Sequence, residues 1–460
     1  MGSSPLRKLT GRVSGTESLP DVCLQRVRLL DPLRQRDEVT DVWLQEGRLR
    51  ATEPAGIPAD IPTIDGSGWV VGPGLLDLYA HSGEGVGNGR VSGAEHFLAH
   101  SRETLTSLAA AALAGGFTQV GLLPTPLPGS GLFPVLDRPE HLNRYPRQLG
   151  DPRWLPWAAL SVGGQGETPT PWGELAQAGA VGFAEVQPLR SLALLRRALE
   201  YLRLENKPLL LWAWDPTLAG QGSLYEGIWA LRLGLKGIPA SAETAALARL
   251  LEVIRSVPSP PPVHIMRLSQ ARSLELIQQA QAEGLPVTAS ATWMHLILSE
   301  EAVFEHRYDP HLRLLPPLPS AGDREALIAG IRSGSLGIAT DHHPYTHEEK
   351  TLPFADAPPG AMGLELALPL LWQHLVATGS LTALQLWSAL SLYPARCLNL
   401  DPPTLTPHSD WVLFDPTHPW TVSVATLHSR SPATPWLEKT LCGKVLHTHV
   451  EGIPSRSSAP

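Results

Sequence analysis

The chain has 460 residues, of which 43% are hydrophobic and 17% charged, with a formal net charge of -8. This composition is typical of a globular protein and excludes an intrinsically disordered chain. The modest negative charge gives no reason to expect nucleic acid or an anionic membrane as a partner.

The cysteine pattern and the length of the apolar runs predict the cellular compartment of the protein. Cys23, Cys397 and Cys442 lie far apart and form no C-x-x-C pair. Such a sparse set is typical of a reducing compartment and argues against a disulfide framework or a cysteine-zinc site. We find no signal-peptide pattern and no apolar run of about 18 residues, so we expect a cytoplasmic protein without membrane spans.

The N-terminal segment reads as short strands over residues 22–30, 41–49 and 69–71. Turn residues such as Asp31-Pro32 and Glu46-Gly47 punctuate them.

Beyond residue 72, apolar strands alternate with helical segments. The predicted strands are 72–78, 117–123, 154–162, 180–186, 208–214, 262–268, 286–292 and 337–342. The clearest helices are predicted over 104–114, 191–205, 241–257 and 270–283. Eight strand–helix units favour a closed (β/α)8 TIM barrel over a doubly wound sheet.

The C-terminal segment returns to strands, at 411–414 and 444–446, with Asp415-Pro416 as a predicted turn. We therefore predict three parts. These are a small β domain built from residues 1–71 and 402–453, a barrel over 72–401, and a disordered tail at 454–460.

Candidate metal ligands lie where barrel strands are predicted to end, which is where TIM barrels carry their functional groups. His81, Glu185 and Asp341 occupy such positions, and His342 or His343 is a further candidate. A hydrolytic zinc site needs three or more such ligands and an open position for water. The alternative is that each is an isolated polar group satisfied by a neighbour.

Three other patterns are weaker indications of a functional site. His447-Thr448-His449 is the only His-x-His, and we expect an exposed strand pair there rather than a metal site. His96 and His100 are four residues apart on a predicted helix and are typical of a solvated face. The tryptophans at strand ends either line a pocket or pack in the core: Trp212, Trp214 and Trp293.

Several motifs together resemble one family. They are GIATDHHP at 337–344, LPF at 352–354, PGLLDL at 73–78, AGGFT at 114–118 and YPAR at 393–396. The chain resembles dihydroorotase, of the amidohydrolase superfamily, over nearly its whole length. The resemblance implies a barrel with a β domain made from both termini. It also implies reversible, metal-dependent hydrolysis of a cyclic amide in pyrimidine biosynthesis.

The same resemblance implies that most metal ligands are replaced. His81 is the second histidine of the family's His-x-His, and Asp341 is the carboxylate that also shuttles the proton. The remaining ligand positions carry other residues, namely Tyr79, Glu185 (at or near a carboxylated lysine), Trp212 and Arg267.

The substrate contacts differ as well. By the same resemblance, Gly83 stands where the family has an arginine that binds the substrate carboxylate, Thr125 stands in place of an asparagine, and Tyr345 in place of a histidine. Dihydroorotate should therefore not bind in the family's usual pose, because a buried anion without donors costs several kcal/mol.

Arg267 introduces a fixed positive charge where a metal dication would lie. We predict that it pairs with Asp341 or with Glu185 and fills the metal's place. The expected cofactor is accordingly none, with zinc as the alternative.

These departures favour an inactive dihydroorotase-like protein with a structural or regulatory role. By family analogy its expected partner is aspartate transcarbamoylase. We also expect a homodimer, because dimers are the commonest soluble oligomers. One alternative is an active amidohydrolase with a site rebuilt from His81, Glu185 and Asp341, acting on another cyclic amide. Another is a small-molecule sensor whose pocket is lined by Tyr79, Trp212 and Trp214.

Overall fold

The computed structural model describes residues 21–51, 58, 60–81, 103–124 and 150–451. Its strands are β1 (Val22–Asp31), β2 (Arg36–Gln45), β3 (Arg48–Ala51), β4 (Thr63–Asp65), β5 (Val70–Pro73), β6 (Leu75–Ala80), β7 (Phe117–Leu122), β8 (Arg153–Ala159), β9 (Gly182–Glu185), β10 (Leu209–Trp212), β11 (Leu224–Tyr225), β12 (Gly237–Ile238), β13 (Val263–Met266), β14 (Val287–Thr292), β15 (Gly337–Ala339), β16 (Trp411–Thr421) and β17 (Thr440–His449).

The α-helices are α1 (Leu105–Ala114), α2 (Trp172–Gln177), α3 (Leu192–Leu202), α4 (Pro216–Ala219), α5 (Ile228–Leu233), α6 (Ser241–Arg255), α7 (Ala271–Ala282), α8 (Trp293–Ile297), α9 (Ala302–Glu305), α10 (Ala321–Ser333), α11 (Ala367–Leu371), α12 (Ala383–Leu390) and α13 (Leu392–Cys397). Short 3₁₀ turns lie at Val162–Gly164, Pro310–Leu312 and Glu348–Lys350, and a π-helical turn lies at Trp372–Val376. None of the helices in the described part of the chain has the length and apolar character to cross a membrane.

An eight-stranded parallel sheet forms the barrel, in the order β6-β7-β8-β9-β10-β13-β14-β15. The barrel closes through a parallel bridge between Ala80 and His342, where the His81 N–H donates to the His342 carbonyl at 2.9 Å. Each of the eight predicted strands corresponds to one barrel strand, so the predicted TIM barrel is confirmed. Leucine and alanine side chains on the outer faces of the strands pack against the surrounding helices.

A second sheet takes strands from both ends of the chain, in the order β17-β16-β5-β1-β2-β3, with β4 on β1. The antiparallel pairing of β16 with β5 joins the two segments and confirms the predicted β domain. Trp411 is fully buried in its core and donates from Nε1 to the Gly47 carbonyl at 3.0 Å. The predicted tail, 454–460, lies outside the described residues.

Two local predictions are wrong. The turn predicted at Asp415-Pro416 is absent, because β16 runs on to Thr421 and pairs with β17. The ladder shifts register between Asp415 and Pro419, and such an irregularity accommodates prolines that lack an N–H. The predicted turn at Glu46-Gly47 is confirmed, with φ angles of 50° and 81°, but it divides the single strand predicted over 41–49 between β2 and β3.

Candidate active site

Barrel closure brings three polar residues together at the carboxyl ends of the strands. His81 follows β6, Arg267 follows β13, and Asp341 lies two residues beyond β15. Their side chains are only 7%, 5% and 11% exposed, respectively. In a TIM barrel this end is where the loops build functional sites.

Arg267 and Asp341 form a two-pronged ion pair. The Arg267 Nε donates to Oδ2 of Asp341 at 2.8 Å, and its Nη2 donates to Oδ1 at 2.7 Å. Arginine and carboxylate match in this fork geometry, which engages both oxygens. The predicted pairing of Arg267 with Asp341 is thus confirmed, and the alternative pairing with Glu185 is not observed. Both partners have left-handed backbones, with φ of 60° and 47°, a conformation that non-glycine residues rarely adopt.

His81 completes this arrangement as a neutral acceptor. Its Nε2 lies 3.1 Å from Nη2 of Arg267, and a guanidinium can only donate. Burial lowers the pKa of His81 despite the nearby Asp341 carboxylate, which agrees with the neutral form. The His343 ring lies against His81, with centroids 3.7 Å apart, and its Nδ1 donates to the Asp341 carbonyl at 2.8 Å.

Aromatic rings flank the guanidinium. The Arg267 Cζ lies 5.1 Å from the Trp212 ring centroid and 5.9 Å from that of Tyr79. Trp212 in turn stacks on Trp214, with centroids 5.6 Å apart. Desolvated cation–π contacts of this kind contribute about 2 kcal/mol. Trp293 does not belong to this group, because it packs against Trp436 in the core at 5.2 Å.

Glu185, the third predicted ligand, is held elsewhere. It is buried at the end of β9, where its Oε2 accepts from the Ser161 hydroxyl at 2.7 Å and its Oε1 has no hydrogen-bond partner among the described residues. Burial raises the pKa of Glu185 to about 7, against the opposing effect of the Ser161 hydrogen bond. His81 and Asp341 instead converge with His343. One ligand atom from each of these three lies within 4.8 Å of the others, and no other such group occurs in the described part of the chain.

His342 points away from this group. Its Nδ1 accepts from the Gly363 N–H at 3.1 Å, and its Nε2 lies 3.6 Å from the buried Glu103 carboxylate. Of the two adjacent histidines, His343 therefore joins the site, whereas His342 contacts the Gly363 backbone and the Glu103 carboxylate.

The replaced substrate positions are described only in part. Gly83 and Thr125 lie outside the described residues, as do His96 and His100. The Tyr345 ring stacks on His343 at 5.9 Å, and its hydroxyl donates to the Pro359 carbonyl at 3.0 Å.

A buried hydrogen-bond chain beneath Arg267 was missed by the sequence analysis. The Arg267 N–H donates to the Tyr79 hydroxyl at 3.1 Å, and that hydroxyl lies 3.1 Å from the Ser290 Oγ. Ser290 contacts His264 Nε2 at 2.9 Å, and His264 Nδ1 contacts Thr288 Oγ1 at 2.8 Å. Burial lowers the pKa of His264 to about 3. The available signal was a histidine between apolar neighbours in β13, where alternate residues face opposite sides.

Asp77 was also missed, and it strengthens the barrel seam. Its two oxygens accept from the Thr340 N–H at 2.7 Å and from the Thr340 hydroxyl at 2.5 Å. Burial raises the pKa of Asp77 to about 7. Asp77 thereby ties β6 to the segment that carries Asp341.

The histidines of β17 are half-buried, so the predicted exposed pair is wrong. The His447 and His449 rings lie 5.2 and 6.0 Å from the Trp411 ring, and His449 Nε2 is 3.2 Å from Glu451. His447 and His449 therefore pack against the core of the β domain.

Comparison with known proteins places the chain in a family. A family model described as dihydro-orotase-like matches residues 70–258. A probable dihydroorotase-like protein from Synechocystis sp. is 40% identical over 459 residues, covering 92% of this chain and 98% of that protein. The chain belongs to the dihydroorotase-like family. A dihydroorotase from Anaeromyxobacter sp. is 35% identical over 430 residues, covering 92% of this chain and 95% of that one.

Solved structures agree on the fold of this dihydroorotase-like chain. The L-hydantoinase (dihydropyrimidinase) from Arthrobacter aurescens superposes with a TM-score of 0.74 at 20% identity, covering 94% of this chain and 95% of that one. A dihydropyrimidinase from Brevibacillus agri gives a TM-score of 0.70 at 17% identity, covering 94% of each chain.

The side chains at the dihydroorotase-like site do not fit a metal ion. Both Asp341 oxygens and the His81 Nε2 are bound by Arg267, whose guanidinium stays charged. A divalent cation among these three atoms would lie against that fixed positive charge. The arrangement holds an internal cation where the family resemblance implies a metal.

Proposed function

We propose that this dihydroorotase-like protein does not hydrolyse dihydroorotate and acts as a structural or regulatory protein. The observation that carries this proposal is the Arg267 guanidinium, bound to both Asp341 oxygens and to His81. Metal-assisted hydrolysis needs a metal ion with an open position for water, and the protonated guanidinium offers neither.

The acid–base side of the reaction supports the proposal. Burial disfavours the charged form of Asp341, but Arg267 and His343 outweigh it and hold the pKa of Asp341 well below its usual range. A general acid or base works best with a pKa near the operating pH. An aspartate held ionised by a buried arginine is therefore a poor proton shuttle.

The side chains near the implied substrate position also support the proposal that dihydroorotate is not hydrolysed. Tyr345 takes a position where the family resemblance implies a histidine, and its hydroxyl is committed to the Pro359 carbonyl. Lys350 lies 5.0 Å from the Tyr345 ring centroid, but its Nζ donates to two backbone carbonyls, those of Pro310 and Pro358, at 3.2 and 2.6 Å. The Tyr345 hydroxyl proton and two of the Lys350 ammonium donors are therefore committed to backbone carbonyls.

The test is the zinc content and dihydroorotate turnover of the purified, tag-free chain. We expect less than about a tenth of an equivalent of zinc after incubation with the metal, and no turnover above background. An active dihydroorotase carried through the same steps is the control. Stoichiometric zinc together with turnover would contradict the proposal.

One observation favours a second candidate, an amidohydrolase with a rebuilt mononuclear site. The ligand atoms of His81, Asp341 and His343 already converge. This candidate requires Arg267 to swing away from Asp341 when zinc binds. Stoichiometric zinc without dihydroorotate turnover would favour it and would direct attention to other cyclic amides.

For the regulatory role we propose aspartate transcarbamoylase as the partner, on the family analogy alone. We expect the purified chain to elute together with that enzyme from the same organism in size-exclusion chromatography. Separate elution at micromolar concentrations of both proteins, across the pH range 6–8, would exclude a stable assembly.

A further inference from the structure

Tyr79 connects the barrel mouth to the polar chain in the barrel core. Its side chain is fully buried, and its hydroxyl lies 3.1 Å from the Arg267 backbone nitrogen and 3.1 Å from the Ser290 Oγ. Tyr79 is in β6, whereas Arg267 follows β13 and Ser290 is in β14. The hydroxyl therefore joins β6 to two strands that are not its neighbours in the barrel.

The hydrogen bonds of this chain run in one direction. A backbone N–H only donates, so the Tyr79 oxygen accepts from Arg267 and the Tyr79 proton goes to the Ser290 Oγ. In the reverse order the buried Tyr79 proton would find no acceptor among the described residues. Ser290 then donates to the Nε2 of His264, and the Nδ1 of His264 donates to the Thr288 Oγ1. Because burial lowers the pKa of His264 to about 3, this ring carries a single proton at neutral pH, on Nδ1.

The contact with Tyr79 matters because the Arg267 backbone is left-handed. Its φ of 60° is one that a non-glycine residue keeps only where surrounding contacts hold it. The Tyr79 hydroxyl accepts from the Arg267 N–H, and the next N–H, that of Leu268, donates to the Ser290 carbonyl at 2.9 Å. Since the direction of a side chain follows from its backbone conformation, the contacts that keep this φ also keep the guanidinium on Asp341.

We propose that Tyr79 is the positioning residue for Arg267 and holds the guanidinium in the place that the family resemblance gives to a metal. It acts through the Arg267 backbone and through its ring, whose centroid lies 5.9 Å from the Arg267 Cζ. The resemblance implies a metal ligand at position 79 as well. The tyrosine thus removes one ligand and supports the arginine that replaces another. This inference rests on the proposed function in one respect, that Arg267 rather than a metal occupies the barrel mouth.

The experiment compares Tyr79→Phe with the native full chain by nuclear magnetic resonance, using 15N-labelled arginine. The Arg267 Nε–H signal is identified by its loss in Arg267→Met, and it reports directly on the bond to the Asp341 Oδ2. We expect the exchange of this proton with water to become about fivefold faster in Tyr79→Phe, the factor that corresponds to one ordinary hydrogen bond.

Tyr393→Phe is the matched control. Tyr393 is also buried, and its hydroxyl donates to a backbone group, the Ser335 carbonyl, at 3.0 Å. Ser335 precedes β15, at the end of the barrel opposite to Arg267. Urea unfolding compares the stability of the two variants. Faster Arg267 exchange in Tyr79→Phe alone supports the positioning role. Equal exchange rates in all three proteins, or an equal increase in both variants, would overturn the proposal.

The His264 ring provides a second test that uses the native chain only. In a sample with 15N-labelled histidine, the chemical shifts of the two ring nitrogens show which of them carries the proton. We expect the proton on Nδ1 at pH 7, and a proton on Nε2 would reverse the chain and overturn the assignment of Tyr79 as its donor. Neither measurement uses zinc content or turnover, so a failure here is distinguished from a failure of the proposed function.

Discussion

Arg267→Met is expected to destabilise the folded chain by about 3–5 kcal/mol, because it leaves the Asp341 carboxylate buried without its cation. The Asp341 side chain is 11% exposed, and the Arg267 guanidinium donates to both of its carboxylate oxygens, Oδ1 and Oδ2. Methionine preserves most of the side-chain volume, so the loss reports the charge rather than a cavity. Urea unfolding at pH 7.5 measures this change in the free energy of unfolding.

Two further variants separate the ion pair from a general packing defect. Adding Asp341→Asn to Arg267→Met should recover much of the loss, because no uncompensated charge then remains. Arg272→Met is the matched control, since Arg272 pairs with Glu275 at the surface, where such pairs contribute about 0–1 kcal/mol. Equal losses in the Arg267 and Arg272 variants would contradict a buried, interdependent pair.

The stability lost in Arg267→Met should increase as pH rises. In the native chain the pKa of Asp341 is depressed, so the pair's contribution is present above the unfolded pKa and is lost only in strong acid. In Arg267→Met, burial without a cation should raise that pKa. The variant then loses stability as pH rises from about 4 through the raised pKa. The difference between the two proteins should therefore be larger at pH 8 than at pH 5.

Restoring histidine at three positions together is expected to give stoichiometric zinc. The variant carries Tyr79→His, Trp212→His and Arg267→His, which are the ligand positions that the family resemblance implies. The triple change removes the guanidinium and both flanking rings, and it frees His81 and Asp341 to bind the metal. Elemental analysis after dialysis measures the outcome.

Arg267→His alone should retain little zinc, since Tyr79 and Trp212 still occupy the other two positions. Adding Asp341→Asn to the triple variant should lower its zinc content again, and circular dichroism checks that each variant is folded. Zinc in the native chain equal to that in the triple variant would show that Arg267 does not block the site. Restored zinc without dihydroorotate turnover is the expected activity result, because Gly83, Thr125 and Tyr345 are unchanged.

The barrel and the β domain were predictable because their signals are local and repeat along the chain. Apolar runs such as residues 208–214 and 286–292 read as buried parallel strands, and amphipathic segments between them read as helices. The error at Asp415-Pro416 has a clear cause. A proline normally ends a strand, but here a shift in the pairing of β16 with β17 accommodates it.

The sequence by itself also determined which residue types stand at the strand ends, including an arginine at 267 and an aspartate at 341. Only the tertiary structure decided that Arg267 binds Asp341 rather than Glu185, and that His343 rather than His342 faces them. The reason is that these side chains come from strands far apart in sequence. Their distances depend on how the barrel closes at Ala80 and His342 and on the left-handed backbones at Arg267 and Asp341, which no local pattern encodes.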